Sequence, residues 1–227
     1  MFRDSGRLVS RGCMALGVLL GFLVLCSCSA PWTVVPISSN NADEPAQDKP
    51  FNAEAYVDSI WSSKVLPAVA TQSVDLKEAL AAFHADPAAA ARRFGNHNSS
   101  GPACFLVKGE GKVLRVDTRS LAGQALLDLP PYDGHADAAL QVGPVLNGTA
   151  LRDALPFIQF SQFVNQLQFA GVGNALNSRV VKATLAGLPL KSMRGRVVSF
   201  AGAVSMPADD GLPAVVPVTL TIAGGAR

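Results

Sequence analysis

The spacing of apolar positions changes once along the chain. Between residues 51 and 95 the apolar side chains recur every three or four positions, as Val57, Ile60 and Val65 do, which is the period of an amphipathic helix. From about residue 103 they alternate at every second position, which is the period of a half-buried strand. The pattern predicts a helical part at 51–95 followed by a mainly β part at 103–222.

Three helices are predicted in the helical part. The first is expected to end or bend at Pro67, because proline cannot donate a helical hydrogen bond. The second begins after Asp75 and the third after Asp86, since an aspartate at these places can cap a helix, and Pro87 suits a first turn. Gly95 follows the third helix, as glycine often does. We expect all three helices to pack outside the β part.

The β part is predicted as three strands, a helix and two strands. The strands fall within residues 104–118, 123–129, 137–146, 195–206 and 214–222, and the helix within 169–188. Gly109 and Gly111 interrupt the first strand, where a strand can bend. This order predicts an α+β fold on an OB-like five-stranded barrel with one inserted helix. An open antiparallel meander with the helix across it fits the same order.

Two finer expectations concern the inserted helix and the last strand. Pro217 has no N–H to donate, so it predicts a sheet edge at that point of the last strand. The helix is expected to bury one stripe of side chains: Phe169, Val172, Leu176, Val180 and Ala183.

The chain opens with a secretory signal. An apolar run, Met14–Leu25, is too short to span a bilayer comfortably and follows three basic residues, as in a signal peptide. Leu25, Ser27 and Cys28 then match a signal peptidase II site, which needs an aliphatic residue, a small residue and a cysteine to acylate. We therefore predict a lipoprotein signal peptide at 1–27 and lipidation of Cys28.

Two other interpretations of the N-terminus stay open, namely ordinary cleavage after Ala30 and an uncleaved anchor. The residue after Cys28 is Ser29 and not an aspartate, and this favours anchoring to the outer membrane, with the protein in the periplasm. Residues 28–50 are polar and interrupted by prolines, so we expect the lipidated cysteine to be followed by a flexible tether. Residues 51–227 are predicted to form a single globular domain.

Removal of the signal changes both the charge and the cysteine count. The chain has 19 basic and 17 acidic residues, and the signal takes three and one of them, leaving sixteen of each. A neutral mature chain gives no electrostatic case for binding nucleic acid. Cys13 and Cys26 leave with the signal, so Cys104 is the one cysteine without lipid. Its apolar surroundings predict a buried thiol and no intramolecular disulfide.

Motifs for catalysis and metal binding are not found. The "GEGK" at 109–112 lacks the Ser or Thr of a phosphate loop and is better explained as a strand bend. Asp133, His135 and Asp137 could attract a metal, but they adjoin two prolines, and the composition is that of a turn. We expect no metal, no cofactor and no enzyme activity, with a hydrolase of unrecognised site as the alternative.

The densest polar cluster is "NGTALRDALPFIQFSQFVNQ" at 147–166. Arg152 and Asp153 are sequence neighbours, point different ways on a helix and are each expected to need another partner. One interpretation is a hydrogen-bonded corner that locks a helix to the barrel. The other is a small-ligand pocket in which Arg152 binds a hydroxyl or carboxylate and Asn165 or Gln166 orients the ligand. The apolar wall of that pocket would be Phe157, Phe160 and Phe163.

Four segments together carry a family resemblance. They are "IWSSKVLPA" at 60–68, "RRFG" at 92–95, "VKGEGKVLRVDT" at 107–118 and the long stretch from "QVGPVLNGTALRD" to "GNALN" at 141–177. In these segments the chain resembles the predicted periplasmic lipoproteins called domain of unknown function 2291. The resemblance implies an envelope lipoprotein whose genes often lie near sugar-uptake ABC transporters, and it supplies no established catalytic residues. The chain departs from the family in a longer tether and an insertion at 96–103.

These observations predict a membrane-anchored, non-catalytic binding or accessory protein of the envelope. Its expected partners are the membrane, through the lipid, and ABC-transporter or periplasmic binding-protein components, with a small carbohydrate as ligand. The alternative is an envelope scaffold that contacts other proteins. A solvent-facing aromatic surface beside Arg152 would favour ligand binding, whereas an exposed apolar patch elsewhere would favour the scaffold.

Overall fold

The computed structural model describes residues 50–96, 101–207 and 211–223. The predicted signal peptide, Cys28 and the tether up to residue 49 lie outside these residues. Within the described ranges, no helix combines the length and apolar character needed to cross a bilayer.

The first predicted helix continues past its proline. Helix α1 (Ala53–Ile60) is capped by Asn52, widens into a π-helical turn at Trp61–Val65 and continues as α2 (Leu66–Gln72). Pro67 lies in the first turn of α2, where a missing N–H is tolerated. The change in helical winding therefore falls just before this proline, close to the predicted bend.

The next two helices begin where the aspartates predict. Helix α3 (Leu76–Ala85) is capped by the carboxylate of Asp75, which accepts two backbone N–H groups of the first turn. Helix α4 (Pro87–Phe94) is capped by Asp86, whose carboxylate accepts the N–H of Ala89. Both predicted caps are confirmed.

Five strands pair in a ring, and a sixth, short strand pairs with one of them. The strands are β1 (Val74–Asp75), β2 (Cys104–Asp117), β3 (Gln124–Asp128), β4 (Ala138–Gln141), β5 (Val197–Ser205) and β6 (Ala214–Ile222). Strand β2 pairs with β3, β3 with β4, β4 with β6, β6 with β5, and β5 returns to β2, while β1 pairs in parallel with the edge of β2 that β3 uses farther along. The β4–β6 pair is parallel and the other ring pairs are antiparallel. This is the strand order of an OB fold, so the OB-like arrangement is confirmed over the open meander.

The ring is not a continuous barrel. Only two residue pairs join β4 to β6. Residues 109–111 of β2 pair with β5 on one edge, but their other edge is unpaired, because β1 ends at residue 108 of β2 and β3 begins at residue 112. The predicted glycine bend therefore lies at a gap in the wall. Pro217 lies beyond the two pairs with β4 and faces a neighbour in β5 alone, which confirms the predicted edge.

The segment between β4 and β5 contains the inserted helix. Val172, Leu176 and Val180 are buried as predicted, but Ala183 is exposed. The reason is that the helix widens into a π turn, which moves the following residues off the buried stripe. The elements of this segment are α5 (Ala150–Ala154), a 3-10 turn (Phe160–Gln162), α6 (Gln166–Val180), a π turn (Val181–Leu185) and a second 3-10 turn (Leu190–Ser192).

Two apolar clusters stabilise the body. Helices α1, α2, α5 and α6 pack on the outer faces of β2, β5 and β6, around residues such as Val57, Leu151 and Val216. The ring interior forms the second cluster, which includes Phe105 and Leu140. The two clusters lie on opposite faces of the same strands. Both faces of β2 are therefore covered at its start, which explains why the strand begins with four consecutive buried residues.

The third and fourth helices pack differently from the first two. Leu76, Ala79 and Ala90 of α3 and α4 contribute to the interior cluster, whereas α1 and α2 contribute to the outer cluster. The gap at Gly109 explains the difference. A Cβ added there would lie 3.7 Å from the Cβ of Leu76, so the bare glycine leaves space into which α3 packs.

Candidate functional site

Two buried side-chain amides hold the loop between β4 and α5. Gln141 donates to the carbonyl of Asn147 (3.1 Å) and accepts its N–H (2.6 Å). Asn177 in α6 donates to the carbonyls of Leu146 (3.2 Å) and Gly148 (2.9 Å). Because buried backbone groups of an irregular loop need hydrogen-bond partners, these amides fix its course.

Arg152 and Asp153 form an ion pair at the end of this loop. The Nε of Arg152 donates to Oδ1 of Asp153 at 2.8 Å, and Nη2 lies 2.7 Å from the same oxygen. The hydroxyl of Thr149 donates to the other carboxylate oxygen at 2.5 Å. The expectation that the two neighbours would not pair with each other is therefore wrong. In a helix of only five residues, the long arginine side chain folds back far enough to reach the adjacent carboxylate.

Arg152 also connects α5 to α6. Its Nη1 donates to the carbonyl of Phe169 at 3.3 Å, and its guanidinium carbon lies 3.8 Å from the centre of the Phe169 ring. Gly173 faces the same guanidinium, since an added Cβ would lie 3.6 Å from Nη1. The arginine thus makes an ion pair, a backbone hydrogen bond and a cation–π contact while its side chain is only 12% exposed. We call Thr149, Arg152, Asp153 and Phe169 the polar corner.

The other two predicted site residues lie at the start of α6. Asn165 caps this helix, because its Oδ1 accepts the N–H of Gln168 at 2.9 Å. Gln168 in turn accepts the N–H of Val164 at 3.1 Å. Gln166 is exposed and lines a groove beside the polar corner, whereas Asn165 does not line that groove.

The three phenylalanines of the predicted wall diverge. Phe163 is buried, and Phe157 is half-buried with the ammonium of Lys64 5.9 Å from its ring centre. Phe160 is 49% exposed and meets the ring of Phe169 edge to face at 5.6 Å. Phe160 alone of the three lines the groove, and Phe169 provides its second aromatic surface. The helical period predicts Phe169 on the buried stripe, and no sequence pattern indicates that its ring lines a groove.

The corner groove has a volume of about 550 Å³. Its floor is the Arg152–Asp153 pair, whose charges cancel, and its walls combine half-exposed aromatic surface with amide and hydroxyl groups. The groups that carry its chemistry are Thr149, Arg152, Asp153, Phe160, Gln166 and Phe169.

A second groove, of about 670 Å³, lies between α3, the β3–β4 connection and the segment after β5. Three of its charged side chains are engaged with the backbone: Nζ of Lys77 donates to the carbonyl of Pro130 at 2.7 Å, and the carboxylates of Asp133 and Asp137 each accept a backbone N–H. No sequence pattern indicates this groove, because it is assembled from segments far apart in the chain. The corner groove is the better candidate site, since polar and aromatic groups converge there.

The connection between β3 and β4, residues 129–137, is a self-contained turn. Asp128 is buried and accepts the N–H groups of Asp133 (3.2 Å) and Gly134 (2.9 Å), and Asp137 accepts another loop N–H at 2.7 Å. The N–H of His135 donates to the carboxylate of Asp133, which lowers the pKa of that carboxyl. The predicted turn is confirmed. Across the described ranges, no three His, Cys, Asp or Glu side chains are grouped as metal ligands.

The thiol of Cys104 lies near the polar corner. It is buried, as predicted, and burial raises its pKa to about 11, with a further contribution from the carboxylate of Asp153. A thiol with this pKa is almost entirely protonated at neutral pH and is a poor nucleophile.

Comparisons with known proteins agree with this architecture. The family model of predicted periplasmic lipoproteins, domain of unknown function 2291, matches residues 18–221. No curated protein matches the chain. Among solved structures, the chain is similar to the crystal structure of an OB-fold protein from Thermotoga maritima, with a TM-score of 0.62 and 17% identity over 77% of this chain and 99% of that chain. At this identity the likeness shows the fold alone.

Proposed function

Because the chain belongs to the predicted periplasmic lipoprotein family, we propose that it is a membrane-anchored, non-catalytic binding protein that holds a small neutral carbohydrate in the corner groove. The observation that carries this proposal is the half-exposed ring of Phe160 beside the neutralised Arg152–Asp153 pair. Sugars present an apolar C–H face and several hydroxyls. An aromatic ring next to amide, hydroxyl and paired charged groups is complementary to both.

The ion pair favours a neutral ligand over an acid. A ligand carboxylate would have to displace Asp153 from Arg152, which already holds it at 2.7–2.8 Å. A hydroxyl can donate to the carboxylate or accept from the guanidinium without separating them. Of the two ligand groups expected from the sequence, the hydroxyl therefore fits the geometry better.

The same pair argues against hydrolysis in this groove. The hydroxyl of Thr149 hydrogen-bonds to Asp153, the arrangement of a nucleophile with a base. However, that carboxylate is already engaged by the guanidinium of Arg152, and the described lining of the groove contains no histidine or lysine that could act as a base in its place. The hydroxyl is therefore poorly activated, and binding is the better interpretation.

A thermal-shift measurement on the full chain in mild detergent tests this proposal. A sugar at about one hundred times its dissociation constant should raise the melting temperature by roughly 5–10 °C. Phe160→Ala should abolish the shift. Tyr132→Ala is the matched control, because Tyr132 is a similarly exposed aromatic residue (47%) outside the corner groove. If no sugar in a broad panel shifts the parent protein, the carbohydrate proposal is wrong.

The lipid anchor is tested separately. We propose that Cys28 carries the lipid and that the protein is held at the periplasmic face of the outer membrane, where it serves sugar uptake together with transporter or binding-protein components. The lipobox spacing supports the anchor, and the family description supports the periplasm. The link to uptake is carried by the gene neighbourhood that the family resemblance implies. Labelling with a fatty-acid analogue should be lost in Cys28→Ser and retained in Cys26→Ser. Retained label in the Cys28 variant would contradict the assignment.

An envelope scaffold is the second candidate function. The observation in its favour is exposed apolar surface at Val164 and Leu167, beside the start of α6. A periplasmic protein that co-purifies with the parent, and is lost when both residues are changed to serine, would support it over ligand binding.

A further inference from the structure

Two aliphatic side chains project into solvent near the start of α6. Val164 is 87% exposed and Leu167 is 83% exposed, more than any other large apolar side chain in the described ranges. Burial inside the body cannot explain them, because the buried stripe of the same helix lies at Val172 and Leu176. Nearby, Phe51 and Phe160 are also exposed, at 36% and 49%. We call Phe51, Phe160, Val164 and Leu167 the docking patch.

The segment that contributes Phe160, Val164 and Leu167 to the docking patch carries no charge. From Ala154 to Ser178 the sequence contains no Asp, Glu, Lys, Arg or His, although these residues are frequent elsewhere. The exposed polar residues of this run are glutamines, asparagines and serines. A segment without charges can approach hydrocarbon without the large cost of dehydrating an ion.

The docking patch also lies where the chain enters the body. The ring of Phe51 meets the ring of Phe163 edge to face at 5.5 Å, and Phe163 directly precedes Val164. Only the residues from Cys28 to Pro50 separate the proposed lipid from this point. Such a segment can hold the body no farther than about 80 Å from the membrane. It gives the patch an effective concentration at the lipid surface on the order of millimolar.

We infer that the docking patch inserts into the interfacial layer of the bilayer that holds the Cys28 lipid. A lipid surface fits better than a protein partner, because a stable protein interface takes about 20–30 residues a side, whereas four apolar side chains suffice for shallow insertion close to an anchor. Because Phe160 also lines the corner groove, docking places the groove opening at the membrane surface. This inference rests on the lipid attachment proposed above, but not on the presence of a ligand.

Fluorescence of the full lipidated chain in neutral phosphatidylcholine vesicles tests the inference. An environment-sensitive dye is attached at Leu167→Cys or, as control, at Lys191→Cys, an exposed position beyond the other end of α6. Native Cys104 is buried and should not react. We expect a blue shift and a loss of emission with brominated lipids at position 167, and neither at 191. Adding Val164→Asp to the labelled Leu167→Cys protein should remove both effects, whereas raising the salt concentration should not.

Three other outcomes of this experiment would overturn the inference. The mass of the sample shows whether lipid is attached, and an unlipidated chain would overturn both the anchor and the docking. If lipid is attached but the dye at position 167 is quenched no more than the dye at 191, the docking alone is wrong. A blue shift in detergent that grows with protein concentration would show that the patch binds a second copy, which also overturns the inference.

Discussion

The turn at residues 129–137 and the polar corner look alike in the sequence, but the structure uses them differently. In both stretches, at 128–137 and 147–156, aspartate occurs together with glycine, proline and a basic residue. In the turn, the carboxylate of Asp128 accepts only N–H groups of its own loop. In the corner, Arg152 and Asp153 satisfy each other and link two helices, while the ring of Phe160 stays open to solvent.

This difference shows which polar clusters deserve a functional hypothesis. A cluster whose atoms are all engaged with local backbone has nothing left for a ligand. A cluster whose charges are paired, and which borders an open aromatic surface, can still bind. The useful criterion is therefore which polar atoms and aromatic surfaces remain exposed once the hydrogen bonds of the folded chain are counted.

The largest expected effect is at the turn. Asp128→Ala removes a buried carboxylate that accepts two loop N–H groups in charge-assisted hydrogen bonds, and should lower the free energy of unfolding by about 3–4 kcal/mol. Urea unfolding measures this loss. Asp128→Asn is the control, since its amide oxygen can still accept a hydrogen bond, and it should lose clearly less. An alanine variant as stable as the parent would show that this carboxylate does not hold the turn.

The polar corner should be the next most sensitive. Arg152→Ala leaves the carboxylate of Asp153, 13% exposed, without its cation and should cost about 2–3 kcal/mol. Asp153→Ala combined with Arg152→Ala should cost less than the sum of the two single changes, because neither charge is then left unpaired. Thermal unfolding of the three variants gives the coupling. Additive losses would argue against the pair as the structural element of the corner.

A smaller effect on the free energy of unfolding is expected at high pH, from the thiol of Cys104 near the polar corner. The pKa of Cys104 is raised from 9.0 to about 11 in the folded protein, so its contribution to stability is complete below pH 9. Between pH 9 and 11 the thiol ionises in the unfolded chain only, and about 2 kcal/mol should be lost. Unfolding free energies of the parent and Cys104→Ala, measured across this range, should converge toward high pH. Parallel curves would contradict the raised pKa.

The smallest effect on stability is expected at the open side of the corner. Phe160→Ser and Gln166→Ala change exposed side chains and should alter the free energy of unfolding by about 0.5 kcal/mol or less. Thermal unfolding without ligand checks this. A large loss for Phe160→Ser would mean that its ring supports Phe169 structurally, and the contrast between the two regions would then disappear.

The elements of the fold could be predicted because their signals are local. The caps at Asp75 and Asp86 and the alternating burial along β5 depend on residues close together in the chain. The position of α3 could not be predicted in this way. Leu76 joins the ring interior because a glycine about thirty residues later leaves space for it, and no local pattern links the two.

The candidate site was predicted in part for the same reason. Around Arg152 the structure contains the hydrogen-bonded contacts that one of the two interpretations predicts, and Asn165 caps a helix, in agreement with its predicted contacts to nearby backbone. The pairing of Arg152 with Asp153 was missed, because the rule for side chains on a helix assumes a longer and more regular helix. The role of Phe169 depends on its contact with Arg152, which lies seventeen residues earlier, so no local pattern indicates it.

Closure of the strand ring has a consequence for the order of events during export. Strand β2 pairs with β5, which lies about a hundred residues later, and β4 pairs with β6, so the ring cannot form until the last strand has arrived. A chain that crosses the inner membrane from its N-terminus delivers the proposed lipidation site long before β6. Acylation would then precede folding, while the edges of β2 and β3 are still unpaired. The body is therefore expected to fold beside a membrane to which it is already attached.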